Sequence, residues 1–340
     1  MRFIVFVCLA VAAGSTVIAE TPRSVRIEVP AITNPHPRLF LDRDQLGMIK
    51  QKVGEESQPW SEAYRIQRSV AGRGMEAKPS PYAGVVGETF VEHVTRDGEF
   101  ALALALCGYI EENEAYTEKA IEFIREWVRQ VPDPGHNFER RTLPNHGLRL
   151  TAAAPLLEAY DITLASGLWS EEGKEEVERW LRTLAEGAKH SLAVWADPYE
   201  FDPVAGRHVP SDDPDMHYFG NQIYNNHLTA DLLNIALVAL ILGDEELLQF
   251  AVDHPENERD FREMIQHVIL RPGDETFLFD HCQREPGTKA YEEYVRVQNR
   301  VEEWADPRNG EIYDRYRVLG GKGLTYAFMH SYLLGRFADL

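Results

Sequence analysis

Along this chain apolar residues recur at helical spacing almost from end to end. The most densely apolar case is GNQIYNNHLTADLLNIALVALILGD, residues 220–244. From Leu228 onward Leu232, Leu233, Ile235, Ala236, Val238, Ala239, Ile241 and Leu242 fill most of two faces, which predicts a helix buried on several sides and stopped by Gly243. The same spacing predicts further helices near 42–53, 59–71, 98–112, 115–131, 148–165, 170–193, 245–252, 257–270, 288–305 and 324–337. Strand-like alternation is confined to RSVRIEV and to the segment around 275–279. No fixed period relates the helices, so tetratricopeptide and ankyrin arrays are excluded. Paired helices of unequal length predict an all-α fold, a curved or closed array of helical hairpins. Three long loops, 73–92, 132–146 and 197–220, are rich in aromatic, His and Arg residues. Loops of that length usually carry function, and these are expected to line a cleft at one end of the helices.

Composition narrows the setting. With 340 residues, 44% of them hydrophobic, the chain has ample material for a large core. Residues 1–19 read as a signal peptide: Arg2 starts it, Phe3 to Ala13 form the apolar run, and Val17-Ile18-Ala19 is a small-residue cleavage site before Glu20. Phe6-Val7 before Cys8 lacks the small residue of a lipid-attachment signal, so cleavage and release are expected, placing the protein in the periplasm or outside the cell. Residues 20–340 are then the mature chain, long enough for one large domain or two ordinary ones. No other stretch is apolar enough to span a membrane. The 55 acidic residues against 35 basic ones, a formal charge of −20, exclude nucleic acid as a partner. A polyanionic sugar remains compatible, because screening confines surface fields to roughly 10 Å and lets local clusters dominate. Of the two cysteines left after cleavage, Cys107 lies in the apolar run ALALALCGYI and reads as a buried small hydrophobe, its pairing with Cys282 left open.

Candidate chemistry stands in front of the long helix. Tyr224, Asn225, Asn226 and His227 form a polar tetrad where one capping side chain would satisfy a purely structural helix. A second cluster, DHCQREPGTKAYEEY, holds Arg284 and Tyr291 seven residues apart with Lys289 between them. Pro286 and Gly287 break a continuous helix here, so Arg284 is expected on a loop and Tyr291 in the first turn after it.

Together these residues resemble the polysaccharide lyases built on α/α toroids, the alginate lyase family and its relatives among the chondroitin AC and heparinase III lyases. NPHPRLFLDRDQLGMIKQKV is similar to their opening segment, GEFALALALCGYIEENEAYTEKAIEFIREWV to their recurrent helical hairpin, and NNHLTADLLNIALVALILGDEEL to the inner helix that carries Asn-Asn-His. The resemblance implies a compact single-toroid enzyme that cleaves 4-linked uronic-acid polymers, glucuronan or mannuronate-rich alginate, by β-elimination without a cofactor. It implies Tyr291 as base and acid, Asn226 and His227 as the groups that neutralise the substrate carboxylate, and Arg284 as an assisting cation, with His227 as base for uronates of opposite C5 configuration. Substrate contacts are expected from Asn225, Tyr224, Tyr218, Lys289, Arg141, His146 and Arg207.

Three alternatives stand beside this reading. A glycoside hydrolase on the same scaffold needs two carboxylates across the cleft, and Asp212, Asp213 and Asp215, or Asp274 and Asp280, are available. A metal site from His208, Asp213, His217 and His227 matches no defined ligand spacing. A non-catalytic carbohydrate-binding array explains the hairpins but leaves the polar tetrad without a purpose.

Overall fold

The computed structural model describes residues 26–138, 143, 145–196, 199–202, 207–210, 225–257, 259–269 and 323–340. Most helices start where a short polar side chain is available to accept a free backbone N–H. Asp42 opens α1 (Arg43–Gly54) with a reciprocal box: its carboxylate accepts the Gln45 N–H, and Gln45 Oε1 accepts the Asp42 N–H, each at 2.8 Å. After α2 (Trp60–Glu76) and α3 (Glu88–Glu111), Asn113 caps α4 (Glu114–Gln130). A short α5 (His146–Leu150) runs through a 3-10 turn, Thr151–Ala153, into α6 (Ala154–Leu164). There follow α7 (Glu171–Ala196), an antiparallel hairpin of β1 (Tyr199–Asp202) and β2 (Arg207–Pro210), then α8 (Asn226–Leu242), α9 (Glu245–Val252), α10 (Phe261–Val268) and α11 (Gly323–Ala338). Among the described residues the fold is all-α apart from that hairpin.

Several boundaries differ from expectation. RSVRIEV is no strand in its described part: residues 26–33 run extended along α9, Val29 N–H donating to Gln249 Oε1 at 3.0 Å and Ile27 N–H to Asp253 at 2.7 Å. α3 begins ten residues earlier than expected, because Gly98 is a packing residue and no helix boundary. A side chain there would meet Leu156 N and Pro155 Cβ at 3.2 Å, so its bareness lets α3 and α6 approach closely. The helix expected over 288–305 and the alternation near 275–279 lie outside the described residues.

The core is organised around α3 and α8. α3 packs on α2, α4 and α6, and α8 on α5, α7, α9 and α11. Every residue of α8 from Asn226 to Ile241 is buried. Each fully buried Leu or Ile contributes roughly 2 kcal/mol, so this helix is the main hydrophobic contribution of its half. Its polar residues therefore need internal partners. Thr229 Oγ1 shares a hydrogen bond with His330 Nε2 of α11 at 2.7 Å, and Asn234 Nδ2 donates to the Gly147 carbonyl of α5, also at 2.7 Å. At the far end Gly243 takes a left-handed conformation, φ 67°, which glycine adopts without strain. Arg38 from the N-terminal arm donates there to the Leu240 carbonyl at 3.3 Å, placing a cation at the negative end of the helix dipole.

Two buried carboxylates lock the periphery to this core. Asp97 on α3 accepts from Trp127 Nε1 at 2.9 Å and Ser80 N at 2.7 Å and pairs with Arg96. Asp161 on α6 accepts from the backbone N–H groups of Arg38 and Leu39 and holds His36 Nδ1 at 2.6 Å. Cys107 is buried within α3, as its apolar surroundings in the sequence indicate. No helix among the described residues is long and apolar enough to cross a membrane.

Candidate active site

The first turn of α8 separates capping from chemistry. Asn225 is the cap: its Oδ1 accepts the N–H of His227 at 2.7 Å and of Leu228 at 3.3 Å. Asn226 and His227 follow inside the first turn, Asn226 fully buried and His227 with 8% of its surface exposed. Both sit at the positive end of a 17-residue helix, where the helix dipole favours an anion. One capping residue is enough, and the next two are surplus to capping.

The loop after α4 lies against α7 because two glycines meet. A side chain on Gly135 would collide with the Thr183 carbonyl of α7, and one on Gly187 would collide with Gly135 itself. The bare contact seats 133–138 directly on α7. His136 then lies edge-to-face against His190, ring centroids 5.3 Å apart, with Asp133 Oδ1 2.8 Å from its Nδ1 and Glu186 3.7 Å from its Nε2.

His146 opens α5 and points inward. It is fully buried, its Nε2–H donates to the Gly135 carbonyl at 2.8 Å, and its ring meets Phe138 edge-on at 4.9 Å. Burial pushes its pKa down to about 4, His136 and His190 adding to the effect. The ring is therefore neutral at pH 7, with its tautomer set by the carbonyl. In this position His146 supports the loop that carries His136. His190 is likewise held below the ordinary histidine range, chiefly by burial.

One buried group here was absent from the sequence-based candidates. Asp231, one turn beyond His227 on α8, is completely buried, and a side chain on Gly147 would fall on its Oδ1. Desolvation raises its pKa well above the carboxylate range, the adjacent Ser191 hydroxyl opposing the shift. Gly147 N–H in turn donates to Ser191 Oγ at 3.3 Å. The signal in the sequence was a lone acid four residues after His227 in an otherwise apolar helix; His136 and His190, in a loop and a helix of mixed polarity, carried none.

Of the expected site residues, Asn225, Asn226 and His227 stand together at the start of α8, and His146 opens α5, whose Gly147 rests against Asp231 of α8. Arg207 opens β2, in register with Asp202. Tyr218, Tyr224, Arg141, Arg284, Lys289 and Tyr291 lie outside the described residues, as do the carboxylates of the hydrolase alternative and Asp213 and His217 of the metal alternative. The groove of about 970 Å³ between α4 and α7, flanked by Arg125, Arg179 and Trp180, contains none of the candidate residues.

A model of the alginate lyase family matches residues 87–266, more than half of the 340-residue chain. The match opens at the residue before α3 and closes inside α10, so it takes in the 133–138 loop, His146 and the whole of α8. Searches of curated proteins and of solved structures found no match. The chain belongs to the alginate lyase family and is a polysaccharide lyase.

Proposed function

We propose that this lyase cleaves 4-linked uronic-acid polymers, mannuronate-rich alginate or glucuronan, by β-elimination at the start of α8. The family implies an acidic polysaccharide substrate. The observation that carries the finer reading is the division of labour in the first turn of α8, where Asn225 alone caps the helix and Asn226 and His227 stand beyond it at the positive helix end.

The reaction needs such a place. The C5 proton of a uronate is only weakly acidic while the adjacent carboxylate keeps its full charge. Asn226 and His227 bind that carboxylate and stabilise the enolate-like charge as the proton leaves, with Arg284 supplying a fixed cation. Tyr291, as phenolate, takes the C5 proton; the electron pair forms the C4=C5 double bond and the C4–O4 bond breaks. The same phenol then protonates O4, regenerating the phenolate, because in D-mannuronate and D-glucuronate both groups lie on one ring face. An ordinary tyrosine has a pKa of about 10, so Arg284 and Lys289 lower it. For uronates of opposite C5 configuration His227 serves as the base.

The chain acts outside the cytoplasm, residues 1–19 directing export, and its helices form an incomplete (α/α) toroid. The packing of consecutive helices, α2 on α3, α3 on α4 and α9 on α8, supports that arrangement.

The test is a screen of the purified mature protein against polymannuronate, alginate, glucuronan, hyaluronan and heparan sulfate, following the ultraviolet absorbance of the new double bond. A rise on polymannuronate or glucuronan, abolished in Tyr291→Phe and His227→Ala, is the expected result. New reducing ends without absorbance would mean hydrolysis and overturn the elimination mechanism.

A further inference from the structure

Asp231 occupies a position that no structural role yet described explains. It is wholly buried, neither carboxyl oxygen has a hydrogen bond of ordinary geometry, and the Ser191 hydroxyl is the donor that lies beside it. Leaving a carboxyl in that condition is unfavourable, whereas an apolar residue of similar shape would pack without the penalty. The titratable groups on the elements around the start of α8 are His146 and Arg149 of α5, His190 of α7, His330 of α11 and His227 on α8 itself; Asp231 forms an ion pair with none of them.

Its contacts are specific. Asp231 Oδ1 fills the space that a Gly147 side chain would take, and Ser191, which accepts the Gly147 N–H, lies beside it. Three residues on, Asn234 holds the Gly147 carbonyl. α8 thus grips one glycine of α5 at its Cα and its carbonyl. His227, one turn before Asp231, shares that face of the helix. We propose that Asp231 is a positioning residue for the lyase reaction: wedged against Gly147 beside Ser191, it sets the approach of α5 to the first turn of α8 and so the orientation of His227 toward the substrate carboxylate. This rests on the reading of His227 given above. Asp231 itself stays out of the chemistry and takes no proton from the sugar.

The geometry supplies a size-swap test. Gly147→Ala adds a methyl where Asp231 Oδ1 now sits, and Asp231→Ala removes the carboxyl but leaves that space open. In the double variant the methyl takes the vacated volume, its nearest remaining neighbour among the three closest atoms being Asp231 Cα at 3.4 Å, an ordinary contact. Helix propensity favours Gly147→Ala, so any loss in that variant comes from the collision. Turnover on polymannuronate, or on whichever uronate polymer the screen identifies, is measured well below each variant's melting temperature, with His227→Ala alongside.

The expected result is a fall in kcat of about tenfold or more in each single variant with KM changed much less, as for a misplaced catalytic group, and recovery of most of kcat in the double variant. Single variants that melt earlier yet keep the wild-type kcat would reduce the wedge to a packing contact and overturn the proposal. A double variant that regains its melting temperature without regaining kcat would overturn it too. If His227→Ala itself keeps wild-type turnover, the assignment of the site fails, and the proposal with it; an inactive His227→Ala beside fully active single variants defeats the Asp231 proposal alone.

Discussion

Asp97 and Asp231 are both fully buried carboxyls within long core helices, and the protein treats them in opposite ways. Asp97 on α3 is surrounded by donors: an indole N–H, a backbone N–H and a guanidinium. It ties the loop before α3 and the end of α4 to the core, and its charge is answered on several sides. Asp231 on α8 has a glycine Cα and a serine hydroxyl beside it, and burial favours its protonated form. A carboxyl that gathers several donors is built for stability, whereas one left with a single serine hydroxyl in the helix that carries His227 points to function. Asp161 belongs with Asp97, since it gathers the His36 ring and two backbone N–H groups of the N-terminal arm.

The contrast can be broken most forcefully at the site itself. His227→Ala is expected to lower kcat/KM on the preferred polyuronate by a factor of roughly 10²–10³, about 3–4 kcal/mol of transition-state stabilisation, with little change in melting temperature. A variant that unfolds instead of losing turnover would place His227 with the structural groups.

Asp97→Ala should show the reverse pattern. It strands the Trp127 indole and the Ser80 N–H without an acceptor, and about 3 kcal/mol of stability is expected to disappear in a denaturant titration while the folded fraction keeps its turnover. An unchanged midpoint would remove the basis for calling Asp97 a lock.

Asp231→Asn sharpens the comparison through pH. Because the folded protein holds the Asp231 proton more tightly than the unfolded chain, this group's stabilisation is complete in acid and declines as pH rises above the ordinary value of 3.8 toward the raised one. Within that window the slope reaches about 1.4 kcal/mol per pH unit. Asparagine has no proton to hold, so Asp231→Asn is expected to gain stability relative to wild type as pH rises, read from melting temperatures at several pH values between 4 and 8, an interval spanning roughly 4 units. A constant difference across that range would mean that Asp231 ionises normally.

The smallest effect is expected at the other end of α8. Arg38→Gln removes the cation from the last carbonyls of the helix and should lower stability by about 0.5–1 kcal/mol, with turnover unaffected. A larger loss would show that the N-terminal arm depends on this residue as well as on Asp161.

Helix positions were largely legible in the sequence, because burial imposes a periodicity that local spacing records. For α8 the apolar run, the Asn cap and the stop at Gly243 all agree with the structure. Gly98 was misleading because a glycine that ends a helix and one that admits a neighbouring helix look alike in sequence; only the Pro155 and Leu156 contacts distinguish them. The candidate site was legible in part. Asn226 and His227 stood out since capping could not account for them, and the loop of 132–146 stood out by length and composition. Which of its residues turn inward was not legible, and His146 proves to be buried on the Gly135 carbonyl.

From the sequence alone follow the all-α class, the placement of the central helix, the capping role open to one asparagine and the surplus of polar groups beside it, since each depends on neighbours within a few residues. The tertiary structure alone decides that Gly135 meets Gly187, that Gly147 meets Asp231, and that His136 meets His190, contacts between residues 52 to 84 positions apart. Those contacts depend on how closely two backbones approach, and a backbone separation leaves no periodic trace in the side chains that permit it.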